Sequence, residues 1–196
     1  MELVLDWDGT ITVHDSLVAA VHALGDPSVY DGGIQNGFGS YGEALAAEVA
    51  TLRVSEPEAA AWAVENVEVR PGFHELVERY RPIVVSSGLP QLILPVLERE
   101  GVEVEVRSNN AEVRPDGWRV IFRDEGVCPV CGDKCKRRSL PDTHPLVFVG
   151  DGWSDRCASL VADRVFARTG LAEYLDEQGV PFERYETLND VAAALT

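Results

Sequence analysis

Leu3-Val4-Leu5-Asp6-Trp7-Asp8-Gly9-Thr10 opens the sequence with an apolar run that ends in two carboxylates one residue apart, followed by Gly-Thr. In an extended segment, residues i and i+2 face the same side. Asp6 and Asp8 therefore aim at one ligand or one metal while Trp7 turns away to pack. The plain alternative for an Asp pair after a strand is a solvated turn or a helix N-cap. The choice between them rests on what the other strand ends carry.

Working outward, period-2 and period-3.6 patterns alternate along the chain. They predict strands at about 2–6, 82–86, 103–106, 146–150, 164–167 and 181–184, and helices near 72–80, 89–100, 153–162, 170–178 and 188–195. Short apolar strands separated by helices imply βαβ units, hence an α/β fold with a Rossmann-like, doubly wound and mostly parallel sheet. Arg114-Pro115-Asp116-Gly117-Trp118 has the composition of a tight turn, which predicts a β-hairpin appended to the core, from 111–114 to 118–122. Residues 13–70 break the alternation. They hold a helix near 15–24, a Gly-rich passage from Asp31 to Gly42 read as a lid loop or a linker, and a helix near 42–53. Ser55-Glu56-Pro57-Glu58 then forms a capping box for a helix through Asn66. Such an insertion is too long for a crossover and is read as a helical cap (13–70) over a core made of 1–12 and 71–196.

Composition narrows the function. The chain has 196 residues and a net charge of −16, which argues against nucleic acid or anionic lipid as a partner. No apolar run approaches the ~20 residues of a membrane span, and Asp6 and Asp8 interrupt any signal-peptide pattern. A cytoplasmic protein is expected, with its oligomeric state left open. Only two lysines occur, Lys134 and Lys136, and every other basic side chain apart from histidine is Arg. An ammonium is a compact charge suited to a phosphoryl oxygen, and Arg does not replace it conservatively.

In open α/β sheets, ligands bind outside the carboxyl ends of the strands. The second apolar strand ends in Ser86-Ser87-Gly88. The third large one, Leu146-Val147-Phe148-Val149, ends in Gly150-Asp151-Gly152-Trp153-Ser154-Asp155, with Lys136 shortly before it. Carboxylates converging in one cleft are unfavourable unless a cation joins them, and an oxygen-rich donor set selects a hard ion such as Mg²⁺.

The set DWDGTIT, VVSSG, CK and GDGWSD resembles, in order and strand placement, the four motifs of the haloacid dehalogenase-like phosphatase superfamily, over essentially the whole chain. Within it the chain is similar to the helical-cap subgroup that includes phosphoserine phosphatase. DGTIT-x-x-D and C-x2-C…CK look closer to the methionine-salvage 2-hydroxy-3-keto-5-methylthiopentenyl-1-phosphate phosphatases, and also resemble phosphoethanolamine and phosphocholine phosphatases. The resemblance implies a Mg²⁺-dependent phosphomonoesterase acting on a small phosphorylated metabolite. Asp6 would be the nucleophile that becomes an aspartyl-phosphate and Asp8 the general acid and base. Mg²⁺ would be held by the Asp6 carboxylate, the backbone carbonyl of Asp8 and Asp151, with Asp155 orienting Lys136 or a metal-bound water. Ser86 and the N–H groups of Ser87 and Gly88 would hold the phosphoryl oxygens, with Lys136 offsetting their charge. Relatives usually carry Gly where Ser87 stands, and the shorter span from Lys136 to Asp151 leaves Lys134 as the other candidate amine.

Asp15 is read either as a substrate contact or as a helix N-cap, and Asp155 has the alternative role of complementing a helix dipole. Cys128, Cys131 and Cys135 form C-x2-C-x3-C, which could hold structural zinc with a fourth ligand such as His144 or Cys157; reduced structural thiols are the alternative. His74 and His144 otherwise read as surface or packing residues. The competing functions are a phosphomutase using the same aspartyl-phosphate and a non-catalytic binding module on this fold.

Overall fold

The computed structural model describes residues 1–29, 37–124 and 126–196. In chain order the elements are β1 (Glu2–Leu5), α1 (Ser16–Leu24), α2 (Tyr41–Val49), α3 (Glu56–Asn66), α4 (Phe73–Tyr80), β2 (Ile83–Val85) and α5 (Pro90–Arg99). Then follow β3 (Val106–Arg107), β4 (Asn110–Glu112), β5 (Arg119–Ile121), β6 (Leu146–Gly150), α6 (Arg156–Ser159), β7 (Arg164–Ala167), α7 (Thr169–Gln178), β8 (Glu183–Arg184) and α8 (Leu188–Ala194). Six strands form one sheet in the order β3-β2-β1-β6-β7-β8, with every pairing parallel. β1 thus lies between β2 and β6, and its apolar residues are buried on both faces. Leu3 and Leu5 join the cluster beneath α4, α5 and α8. Val4 joins the opposite one with Phe148, Ala158 and the α7 residues Leu171 and Leu175. Burial on both faces is what an uninterrupted apolar strand predicts for a parallel sheet covered by helices.

The expected hairpin forms as a separate two-stranded ribbon, β4 with β5. Trp118 seats it, donating from its ring to the Val54 carbonyl (2.8 Å) and from its backbone to Leu52 (3.0 Å). Several boundaries differ from the sequence reading: the helix predicted near 42–53 ends at Val49 and the strand predicted at 181–184 is Glu183–Arg184. The strand predicted at 103–106 is Val106–Arg107, because an edge strand pairs only where β2 offers partners, and these are Val84 and Val85. The helix predicted at 153–162 is a short 3-10 turn, Trp153–Asp155, followed by α6 alone. There Asp155 turns its carboxylate back onto the amides of Asp151 and Gly152 and holds a loop where a first helical turn would form. The first half of the passage Asp31–Gly42, residues 31–36, falls outside the described residues, and its last two residues begin α2. No described helix is long and apolar enough to cross a membrane.

Between β1 and α4 lie α1, α2 and α3. The strands of chain that lead into and out of this insertion touch: Thr12 bridges Val69, Val13 N–H donates to Glu68 (2.9 Å) and Arg70 N–H to Ile11 (2.8 Å). The Arg70 side chain, buried at 7% exposure, closes the crossing. Its guanidinium donates to the carbonyls of Gly9, Thr10, Thr12, Val13 and Glu186.

Candidate active site

Asp6 leaves β1 at its carboxyl end, beside the equivalent ends of β2 and β6. Lys136 Nζ donates to Asp6 Oδ1 and, at 2.8 Å, to Asp155 Oδ1. All three are nearly sealed from solvent, at 2%, 4% and 0% exposure. Burial alone would lower the Lys136 ammonium, but the Asp155 and Asp6 carboxylates outweigh it and raise it well above the ordinary lysine value. Lys136 is therefore charged at any working pH. Asp6 is raised by burial first, then by Asp155, with Lys136 opposing and Asp151 and Asp8 adding to the rise. Lys134, the other candidate amine, points elsewhere, donating to the carbonyls of Asp124 (2.7 Å) and Gly126 (3.2 Å).

The turn after Asp6 is sharp, and Gly9 takes the left-handed conformation with φ 74°. A Cβ there would sit 2.3 Å from Asp151 Oδ2, so glycine is what lets Asp151 approach. Asp8 has one oxygen fixed: Oδ1 accepts from the Ser16 N–H (2.9 Å) and hydroxyl (2.5 Å). Its Oδ2 lies near Ser86 Oγ at 3.4 Å. Burial raises Asp8, with the Ser16 hydrogen bond opposing. Ser86 Oγ accepts from the Gly88 N–H at 2.8 Å, and a Cβ on Gly88 would lie 2.9 Å from Asp8 Oδ2. Asp6, Asp8, Ser86 and Gly88 thus converge, and Ser87 lines one cavity with Asp6, Asp8 and Gly88.

Asp151 and Asp155 come from the loop after β6. Asp155 is fully engaged: Oδ1 by Lys136, Oδ2 by the amides of Asp151 (2.9 Å) and Gly152 (3.1 Å). Asp151 is pushed up to about 7, chiefly by burial and then by Asp155. One oxygen each from Asp6, Asp151 and Asp155 lie within 4.8 Å of one another. Hard oxygen donors gathered at this spacing fit a small divalent cation such as Mg²⁺. The Asp8 side chain is not in that group.

Asp6, Asp8, Ser87, Gly88, Lys136 and Asp151 line a cavity of about 300 Å³, while Ser86 lines an adjoining pocket that shares Ser87 and Lys136. The far wall of the cavity comes from α1 and α2, with Leu17, Val18, Ala44 and Leu45 as apolar lining and Tyr41, Asp15 and Glu48 as polar lining. Asp15 also caps α1, accepting from Val18 N–H at 2.8 Å, which is the N-cap reading of the sequence. Burial lifts Glu48 to about 7.

Sequence reasoning missed Glu48, Tyr41, Arg70 and Arg168. Arg168 donates to the Gly9 carbonyl at 3.1 Å and its charge lowers Asp151. Helical spacing from Leu45 could have placed Glu48 on the inward face of α2, whereas the two arginines act on backbone carbonyls and leave no local pattern. His74 is exposed, 3.3 Å from Glu100. His144 lies against Asp163 at 2.6 Å, apart from the cysteines, whose fourth member is Cys157.

Similarity to known proteins runs along the whole chain. It is 28% identical over 220 residues to a polyol phosphate phosphatase of Saccharomyces cerevisiae, covering 97% of this chain and 90% of that one. It is 26% identical to the 2-hydroxy-3-keto-5-methylthiopentenyl-1-phosphate phosphatase of Brevibacillus brevis, covering 98% and 94%. The fold superposes on a phosphoserine phosphohydrolase-like protein from Francisella tularensis with a TM-score of 0.71 at 15% identity, covering 100% and 99%. Residues 3–159 match the sequence pattern of the haloacid dehalogenase-like hydrolases, and the chain belongs to that family.

Proposed function

We propose that the chain is a Mg²⁺-dependent phosphomonoesterase that hydrolyses a small phosphorylated metabolite through an aspartyl-phosphate on Asp6. The observation that carries this reading is the Asp6–Lys136–Asp155 contact at the sheet's carboxyl edge, facing the cavity beside Asp8 and Ser86. Lys136 holds Asp6 Oδ1, which leaves Oδ2 as the nucleophile. Its lone pair forms the bond to phosphorus as the bond from phosphorus to the leaving oxygen breaks. Asp8, raised by burial, carries the proton that the leaving oxygen takes. It then accepts a proton from the water that attacks phosphorus, releasing phosphate and restoring Asp6. Ser86 Oγ, oriented by Gly88, and the N–H of Ser87 bind phosphoryl oxygens. Asp155 positions Lys136 and the Asp151 backbone. Asp6, Asp151 and the Asp8 carbonyl would hold Mg²⁺, which when bound neutralises the crowded carboxylates and polarises the phosphoryl group.

In this reading residues 13–70 are a cap over a core of 1–12 and 71–196, and the cap selects the leaving group. Between 13 and 70 the only Lys or Arg residues are Arg53 and Arg70, and neither lines the cavity. Among the described residues the one Lys or Arg in the lining is Lys136, already held by two carboxylates. A leaving group bearing a carboxylate, as in phosphoserine, therefore finds no free Lys or Arg in the described lining to pair that carboxylate. A neutral, hydroxylated leaving group finds acceptors in Asp15 and Glu48 and apolar contact on Leu17, Val18 and Leu45. Polyol phosphates and methylthiopentenyl phosphates fit that description.

Phosphate release is measured with Mg²⁺ across polyol phosphates, a methylthiopentenyl phosphate, phosphoethanolamine and phosphoserine, with wild type beside Asp6→Asn. Wild type turns over the neutral leaving groups best, and Asp6→Asn loses activity by at least about 10³-fold. Persistent activity in Asp6→Asn sinks the mechanism, while a preference for phosphoserine sinks only the account of the cap.

A further inference from the structure

We propose that Cys128, Cys131, Cys135 and Cys157 form a structural zinc centre, distinct from the oxygen-lined site, that ties the segment leading to Lys136 onto the segment that follows Asp155. One Sγ from each of the four lies within 4.8 Å of all the others. At a Zn–S distance of about 2.3 Å, a regular tetrahedron places its sulfurs about 3.8 Å apart. Cys128 and Cys157 stand at 3.6 Å, the spacing of two ligands on one ion and far beyond the ~2.05 Å of a disulfide.

The local backbone is shaped for this. Cys128 to Asp133 folds into a tight knuckle: Gly132 N–H donates to Cys128 O and Cys128 N–H to Asp133 O, both at 2.8 Å. Gly132 takes φ 73° to close it. Val130 N–H points at Cys128 Sγ from 3.4 Å. The Cys131 amide hydrogen-bonds the same sulfur, and N–H groups aimed at a sulfur suit one that binds as thiolate. Arg137 hydrogen-bonds Cys157 and offsets part of the charge that four thiolates leave on a Zn²⁺ ion.

The chain around the knuckle has little regular structure, and hydrogen bonds such as those from the Tyr41 and Gly42 amides to Asp133 hold it to α2. From Phe122 to Pro145 the described residues form no strand and no helix beyond the short turn Lys136–Ser139. Val127 and Val130 are exposed at 58% and 59%. A stretch this long without regular structure is uncommon in a compact domain, and a metal cross-link supplies the order that packing does not. Soft thiolates select zinc, whereas the carboxylates nearby select Mg²⁺, so the two sites do not compete. On binding, each thiol releases its proton to solvent as a sulfur lone pair bonds the ion, and no electron is transferred. Because Cys135 adjoins Lys136 and Cys157 follows Asp155 by two residues, the ion would bind together the two arms that meet in the Lys136–Asp155 contact.

Elemental analysis of untagged protein, purified under reducing conditions and dialysed with Mg²⁺, reads the result directly. About one zinc per chain is expected, and Co²⁺ in its place should give the visible bands of a tetrahedral thiolate complex. Cys131→Ser, at an exposed position, and Cys157→Ser should each lose the metal, with Cys131→Ser still folded by circular dichroism. Protein that holds no zinc and takes up none from one added equivalent overturns the proposal. So does iron in its place, or zinc retained undiminished in both variants.

Discussion

Glu48, outside the carboxylate cluster, ionises differently in the folded and the unfolded chain. Burial on the inner face of α2 raises it to about 7, while in the unfolded chain it ionises near 4.3. Between those values the folded state holds a proton that the unfolded state has released, so this group's contribution falls as pH rises through the window and is lost above it. Glu48→Gln removes the dependence. After allowance for the solvent that reaches the side chain, its stability relative to wild type should improve by about 1–2 kcal/mol between about pH 4.5 and pH 8. Urea denaturation at the two pH values checks it, and an unchanged difference would show that Glu48 titrates normally. Asp6, Asp8, Ser86 and Asp151 were legible in the sequence because each ends an apolar strand, and a strand end in a parallel sheet is a fixed place. Glu48 lies in a helix whose inward face is defined only by what it covers, and nothing beside it marks an acid that must point into a cavity.

Among the elements, the crossing between β1 and α4 carries the largest load on one side chain. Arg70 supplies hydrogen bonds to four backbone carbonyls where the chain enters the α1–α3 insertion and to a fifth, that of Glu186, before α8. Arg70→Met keeps most of the volume but leaves several buried carbonyls without donors, and should cost about 2–4 kcal/mol. Thermal denaturation measures this, and a shift too small to resolve would mean that water replaces the guanidinium. None of this could be read beforehand, since Arg70 binds groups common to every residue type and most lie some sixty positions away. The short α6 was illegible for a related reason. Apolar spacing continues past Ser159, but Asp155 spends its carboxylate on the preceding loop and delays the helix. The hairpin was legible because Pro115-Asp116-Gly117 specifies a turn locally, whereas its seat on Leu52 and Val54 is a tertiary choice.

For the whole molecule, a net charge of −16 is a standing repulsion that the fold must overcome. Salt screens it with a Debye length falling from about 30 Å at 0.01 M to about 10 Å at 0.1 M. The unfolding midpoint should therefore rise by a few degrees over that tenfold change, and by as much with NaCl as with KCl. A midpoint that falls would show that the exposed ion pairs, such as Arg164–Glu183, outweigh the net repulsion. The parallel sheet and its helical cover followed from the alternation of patterns, but the sheet's order followed from nothing local. That order has a consequence in time. β1 sits between partners that come much later, since Val4 pairs with Ile83 on one edge and Phe148 on the other. Contacts this distant in sequence form slowly. During synthesis at about 5–20 residues per second, β1 waits many seconds before its second edge is covered. Proteolysis or premature termination before Leu146 would leave no smaller working unit, only an apolar strand with an open edge of the kind on which aggregation begins.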